Sequence, residues 1–175
     1  MGSPLGLVHI YTGDGKGKTT AAMGLASRAI GRGMKVKIIQ FFKRDTGELQ
    51  PLKQLGANYE QFKPLHPFFR DYSSDALEDL KQHFGEFWNE QIAQVQTGEF
   101  NMLVIDELGP ALAYKIVPEE TILQLLKEKP AHLELVLTGR GFPQSILEKG
   151  DYVTDMRLIH HPYDHGVQAR RGIEF

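Results

Sequence analysis

Apolar residues along this chain fall in short dense runs and in helical stripes, and the two alternate. Leu7 to Tyr11 is a short run rich in strand formers, and it stops at a glycine-rich stretch. From Thr19 to Arg32 the period changes: Ala21, Ala22, Leu25, Ala26, Ala29 and Ile30 recur at helical spacing, and Gly33 is a natural stop. Val36 to Phe42 is apolar almost throughout, as in a strand buried on both faces. Strand, loop, helix, strand predicts a βαβ unit and hence a parallel sheet.

Lys43 to Ser74 shows no sustained period. Gly47, Pro51, Gly56, Pro64 and Pro67 punctuate it, with aromatics between them, and a loop of that length is unusual in a compact domain unless it has a function. Asp75 to Gln96 predicts a long helix. Asp75 and Glu78 read as its capping box, and Leu77, Leu80, Phe84, Phe87, Ile92 and Val95 as its apolar stripe. Phe100 to Leu108 and Leu133 to Thr138 predict two more buried strands. Between them a helix begins near Pro118, where Glu119 and Glu120 favour the positive end, and stops before Pro130. Pro143 to Lys149 reads as a short helix and Tyr152 to Ile159 as a last strand. Phe41, Phe42, Phe84, Phe87 and Trp88 are expected in the core. With no repeat or linker, residues 1–175 are expected to form one α/β domain, a mostly parallel sheet flanked by helices.

Composition narrows the class. Of 175 residues, 41% are hydrophobic and 24% charged, as in a globular protein. A net charge of -2 argues against a general nucleic-acid binder, which needs a basic face. The absence of cysteine excludes disulfides, thiolate metal sites and cysteine nucleophiles, and fits a cytoplasmic protein. No apolar run approaches the ~20 residues of a membrane span, and the start lacks the apolar core of a signal peptide.

The glycine-rich stretch carries the chemistry. Tyr11 to Thr20, YTGDGKGKTT, nearly matches the phosphate-binding pattern G-x-x-x-x-G-K-[ST]; Thr12 stands where the first glycine belongs. A triphosphate needs many N–H donors in a small concavity, and glycine lets the backbone approach it. Gly13 and Gly15 restore turn freedom, and Asp14 and Lys16 lie between the glycines. Gly17 leads into a helix whose N-terminus attracts anions. Lys18 adds a charge on the phosphates, the Thr19 hydroxyl offers a ligand to Mg²⁺, and Thr20 follows in the first turn.

A second acidic site follows the run FNMLVIDEL. Asp106 and Glu107 exit a buried strand at the carboxyl edge of the sheet, where ligands gather in open parallel sheets. In P-loop proteins an acid there completes the Mg²⁺ site. One carboxylate would hold the metal, directly or through water, while the other packs against the loop. Arg140, in Thr138-Gly139-Arg140-Gly141, exits another strand at the same edge, and its planar fork suits a phosphate oxygen. His160, His161 and His165 make a poor metal site, because Pro162 and Gly166 break any helix that would align them. These residues point to a nucleoside triphosphate with Mg²⁺. They leave the reaction open among a kinase, a hydrolase and a transferase of another part of ATP.

The whole chain resembles the P-loop ATP:corrinoid adenosyltransferases. GDGKGKTTAAMGLASRA is similar to that family's loop and first helix, including the substitution for the first glycine. IIQFFK with Gly47-Glu48, LVIDEL, LTGRG and YVTDM follow in family order, and HPYDHGVQARRGIEF resembles its C-terminal signature. The resemblance implies a three-layer P-loop NTPase-type fold, recombinase-like, and a cytoplasmic homodimer. It implies that Co(I) of a reduced corrinoid attacks the 5′ carbon of ATP and that triphosphate leaves whole, in adenosylcobalamin synthesis or salvage. Carried over by position, Thr12 to Thr20 bind the triphosphate. Thr19 and Glu107 ligate Mg²⁺ or Mn²⁺ with Asp106 in support, and Arg140 contacts phosphate. Lys18, Thr19, Glu107 and Arg140 are the catalytic set. A reductase or flavodoxin-like protein would supply electrons. Where many relatives show Gly-Phe-Thr-Trp, this chain reads Pro67-Phe68-Phe69-Arg70. Phe68 and Phe69 are the candidate corrinoid contacts, an aromatic surface that eases reduction by excluding the lower axial ligand. The alternatives are a small-molecule kinase or NTPase on the same fold, and a binding protein without catalysis.

Overall fold

The computed structural model describes residues 6–43, 46–64 and 73–174. In chain order these form β1 (Val8–Thr12), α1 (Lys18–Ile30), β2 (Val36–Phe41), α2 (Leu49–Gln54), β3 (Asn58–Phe62), α3 (Ser74–Gln96), β4 (Met102–Asp106), α4 (Leu108–Ala113), α5 (Glu119–Glu128), β5 (Glu134–Thr138), α6 (Gln144–Leu147) and β6 (Tyr152–Asp155). A 3-10 turn follows at Pro162–His165.

The six strands lie in the order β3-β2-β4-β5-β1-β6, and every pair is parallel. Strands buried on both faces need side chains that are mostly apolar in both directions, and in β2 and β4 every residue is buried, with Lys37, Gln40 and Asp106 the polar exceptions. Successive side chains then feed two cores. Val36, Ile38, Met102, Val104 and Val136 meet Ala22, Met23, Ala26 and Ala29 of α1. The alanines let that helix lie close over the sheet. Ile39, Phe41, Leu103, Ile105, Leu135 and Leu137 face the opposite layer, with Phe84 and Trp88 of α3 and Ile122 and Leu125 of α5. Rings of Phe41, Phe62 and Phe84 pack edge-on or tilted there, with centroids 5.6–6.1 Å apart. The product is a three-layer α/β fold of the P-loop NTPase type. β5 stands between β1 and the acidic strand β4.

Several expectations need correction. The stretch from Lys43 to Ser74 is not irregular throughout: it holds α2 and an edge strand, β3, in register with β2 from Lys37–Asn58 to Phe41–Phe62. The sequence NYEQF hides this strand, because an edge position leaves only Tyr59 and Phe62 buried. Helix α3 is capped by Ser73, whose Oγ accepts from Ala76 N at 3.3 Å, so Asp75 lies inside the first turn and makes no capping box. The strand expected over Phe100 to Leu108 spans only Met102–Asp106, and α4 begins at once at Leu108. The last strand stops at Asp155, and all four of its residues are exposed at the sheet edge. Lys37, buried in β2, is satisfied by Asn58 Oδ1 and Gln94 Oε1, each at 2.9 Å, and burial lowers its pKa.

Candidate functional site

All strands being parallel, their carboxyl ends share one edge, and the glycine loop leaves β1 there. Thr12 keeps its place in the sheet, opposite Asp155. The turn begins one residue later: Gly13 takes φ 92° and Gly17 φ 114°, a left-handed region that costs glycine little. This is why the first glycine of the usual pattern is dispensable here. Gly15 has a different task. Its N donates to Met156 O at 2.6 Å, and a Cβ there would lie 2.5 Å from the same oxygen. It provides close approach of the segment after β6, not turn freedom.

Gly17 caps α1, so the N–H groups of Lys18, Thr19 and Thr20 lack intrahelical acceptors and form an anion-attracting end. Lys18 folds over the loop, its Nζ donating to Gly13 O at 2.6 Å and Gly15 O at 2.8 Å. Burial, then the charge of Arg140, holds its pKa below the ordinary lysine value, against the pull of Glu107 and Asp14. Asp14, Lys16 and Thr20 are exposed.

Asp106 is fully buried at the end of β4. A buried carboxylate is costly unless its oxygens are satisfied, and a row of polar side chains across the strand ends satisfies them. Gln61 Nε2 donates to Gln40 Oε1 at 2.9 Å, and Gln40 Nε2 donates to Asp106 Oδ2 at 2.8 Å. Thr138 Oγ1 donates to Asp106 Oδ1 at 2.7 Å and accepts from Glu107 N at 3.1 Å. Thr19 Oγ1 also donates to Asp106 Oδ1, at 2.9 Å. The metal candidates Thr19, Asp106 and Glu107 are therefore together. Glu107 adopts φ 61°, ψ 31° as the cap of α4. A non-glycine residue in that region is uncommon.

Lys43 Nζ lies among these oxygens, 2.7 Å from Thr19 Oγ1, 3.1 Å from Asp106 Oδ2 and 3.3 Å from Glu107 Oε1. Burial pulls its pKa down, yet the two carboxylates outweigh burial and raise it above the ordinary value. A hydroxyl and two carboxylates are hard donors, suited to Mg²⁺, and the ammonium shows that the cluster accommodates a cation. Among the described residues no three His, Cys, Asp or Glu side chains gather as a metal cage. Mg²⁺ commonly binds through one or two carboxylates plus substrate phosphates instead.

Arg140 reaches the loop from β5: its Nη2 donates to Asp14 O at 3.2 Å. A close backbone crossing holds it there. A Cβ on Gly109 would meet Arg140 O at 2.1 Å, and one on Gly139 would meet Gly109 N at 2.3 Å. Lys16 turns to the C-terminal segment, pairing with Glu174 at 3.0 Å, and Arg170 grips the same carboxylate from backbone and side chain. Hydrogen bonds from the Arg170 side chain and backbone, then from Lys16, hold the pKa of Glu174 at about 2.

Phe68 and Phe69 lie outside the described residues. His161 Nδ1 accepts from Tyr163 N, a local turn contact. A groove of about 540 Å³ between α3 and α5, lined by Phe84, Trp88 and Leu125, shares no residue with the loop. Sequence reasoning missed Gln40 and Lys43 as site residues. Gln40 carried a signal: it is a lone carboxamide in a buried apolar run, and such a group needs a buried partner. Lys43 carried none beyond its place at the strand exit.

A family model described as ATP:corrinoid adenosyltransferase BtuR/CobO/CobP matches residues 5–175. The chain is 35% identical over 172 residues to the corrinoid adenosyltransferase of Escherichia coli K12, covering 97% of this chain and 86% of that one. Identity to the corrinoid adenosyltransferase of Salmonella typhimurium LT2 is 33%, covering 97% and 86%. Identity to that of Pseudomonas aeruginosa PAO1 is 30%, covering 97% and 84%.

Proposed function

Because this chain belongs to the ATP:corrinoid adenosyltransferase family, we propose that it transfers the 5′-deoxyadenosyl group of ATP to Co(I) of a reduced corrinoid. It is a transferase of adenosyl groups. In the proposed step the cobalt electron pair forms the bond to C5′. The C5′–O bond breaks, its electron pair leaves on triphosphate, and cobalt becomes Co(III) bonded to carbon. No phosphoryl group moves and no side chain need act as nucleophile or base.

The observation that supports this reading is the convergence of loop, carboxylates and arginine on one sheet edge. Such a site binds and stabilises a polyphosphate. That is what a triphosphate leaving group demands, since only interactions stronger in the transition state raise the rate. In the reading, Thr12 to Thr20 cradle the phosphates. Lys18 leaves its carbonyl contacts for the chain of phosphates, and Arg140 adds a second cation. Thr19 and Glu107, with Asp106 behind them, would hold Mg²⁺ or Mn²⁺, which when bound supplies further charge stabilisation of the departing tail. Phe68 and Phe69 would meet the corrinoid. The same reading includes a homodimer in the cytoplasm and a reductase or flavodoxin-like electron donor. No described helix is long and apolar enough to cross a membrane.

The test combines purified protein, ATP, Mg²⁺ and chemically reduced cobalamin. Multiple turnovers forming a light-sensitive cobalt–carbon bond, with one intact triphosphate per turnover, are expected. Release of ADP without that bond would make the protein a kinase or NTPase. One stoichiometric binding event without turnover would make it a carrier.

A further inference from the structure

The ammonium of Lys43 stands within 3.3 Å of three oxygens, from Thr19, Asp106 and Glu107, contributed by α1, the end of β4 and the cap of α4. These are the same oxygens that the functional reading gives to a divalent metal, and two cations cannot share so small a seat. Asp106 is completely buried, and its other contacts come from neutral donors, Gln40, Thr138 and Thr19. Lys43 therefore supplies compensating charge to a carboxylate that would otherwise be buried with none from these partners. Its side chain is 29% exposed, so it has a way out toward solvent, at the edge where the loop opens.

We propose that Lys43 is an internal counter-ion that competes with the divalent metal for this seat and makes metal binding conditional on the nucleotide. The inference rests on the proposed metal site. Without nucleotide, a metal entering the seat must expel an ammonium from its carboxylates into water. With ATP, the phosphates give the expelled ammonium a new partner and give the metal its remaining oxygens. Lys43 is thus a positioning residue: it keeps Asp106 and Glu107 compensated while the site waits, and it discourages binding of bare metal.

The test measures Mn²⁺ binding by electron paramagnetic resonance on the whole chain, with and without ATP. Wild-type protein is expected to bind Mn²⁺ weakly alone and at least tenfold more tightly with ATP. Lys43→Met and Lys43→Gln are expected to bind Mn²⁺ alone at least tenfold more tightly than wild type, with the dependence on ATP reduced. On the wild type, the Lys43 Nζ resonance, assigned with Lys43→Arg, is expected to be unmoved by Mg²⁺ alone and shifted by Mg²⁺ with ATP. If both variants bind bare Mn²⁺ no better than wild type while all three still bind it with ATP, Lys43 is not the competitor and the metal site survives. If none takes up Mn²⁺ even with ATP, the metal site fails and this inference falls with it. Should neither variant fold, a Lys43 Nζ resonance indifferent to Mg²⁺ with ATP overturns the proposal on the wild type alone.

Discussion

Gln40 Nε2 lies 2.8 Å from Asp106 Oδ2, and the two residues face each other in register across β2 and β4. The contact joins fold and site. The strand pairing that builds the core also brings a neutral donor to a buried carboxylate, and Thr138 completes the row from β5. Asp106 is thereby held still, behind the residues that face the loop.

Thr138→Val keeps the shape and removes the hydroxyl. It leaves Asp106 Oδ1 short of one donor and Glu107 N without its acceptor. We expect a loss of about 1–3 kcal/mol in urea unfolding, the usual cost of an unsatisfied buried polar group. A variant as stable as wild type would show that the row does not hold Asp106.

Gly15→Ala and Gly24→Ala should move stability in opposite directions. At Gly15 a Cβ meets Met156 O at 2.5 Å and Arg157 backbone at 2.9 Å, whereas at Gly24 nothing lies within 4 Å. The first change is expected to cost about 1–3 kcal/mol, as overpacking does, and to weaken ATP binding. The second, in a helix interior, is expected to add about 0.5–1 kcal/mol. Thermal unfolding of the pair, with ATP titrations, checks both.

Lys18→Ala is expected to lower turnover by about 10²–10³-fold, the range seen when a donor to a developing negative charge is removed, with corrinoid affinity unchanged. Single-turnover formation of the cobalt–carbon bond measures it. Unaltered turnover would place the triphosphate elsewhere.

Glu174 should remain ionised in mildly acid solution. Hydrogen bonds from Arg170 and Lys16 hold its pKa at about 2, below the ordinary glutamate value. A carboxyl depressed in the folded state contributes stability that is present above its unfolded pKa and lost as pH falls toward the folded one. The tail's hold on Lys16 is thus expected to persist at pH 4 and to fail only well below it. A carbon-detected NMR titration of the Glu174 carboxyl tests this, and Arg170→Ala should return its midpoint toward the ordinary value.

Burial pattern made β1, β2, β4 and β5 legible in the chain itself, because a strand covered on both faces admits few polar residues. The loop was legible for a similar reason: glycines and a lysine in that order, between an apolar strand and an alanine-rich helix, suit few other roles. Edge strand β3 was not, since half-cover leaves NYEQF looking like a loop, and the Asp75–Glu78 pair suggested a cap for α3 that the structure gives to Ser73 instead. Tertiary structure alone decided what meets the loop. Met156 abuts Gly15, Glu174 pairs with Lys16 across 158 residues of chain, and Lys43 settles among oxygens from α1 and β4. Periodicity records which face of an element is buried, but not which element lies beside it. Strand order and crossovers decide that, and a carboxylate acquires its partners only once the strands have found their neighbours.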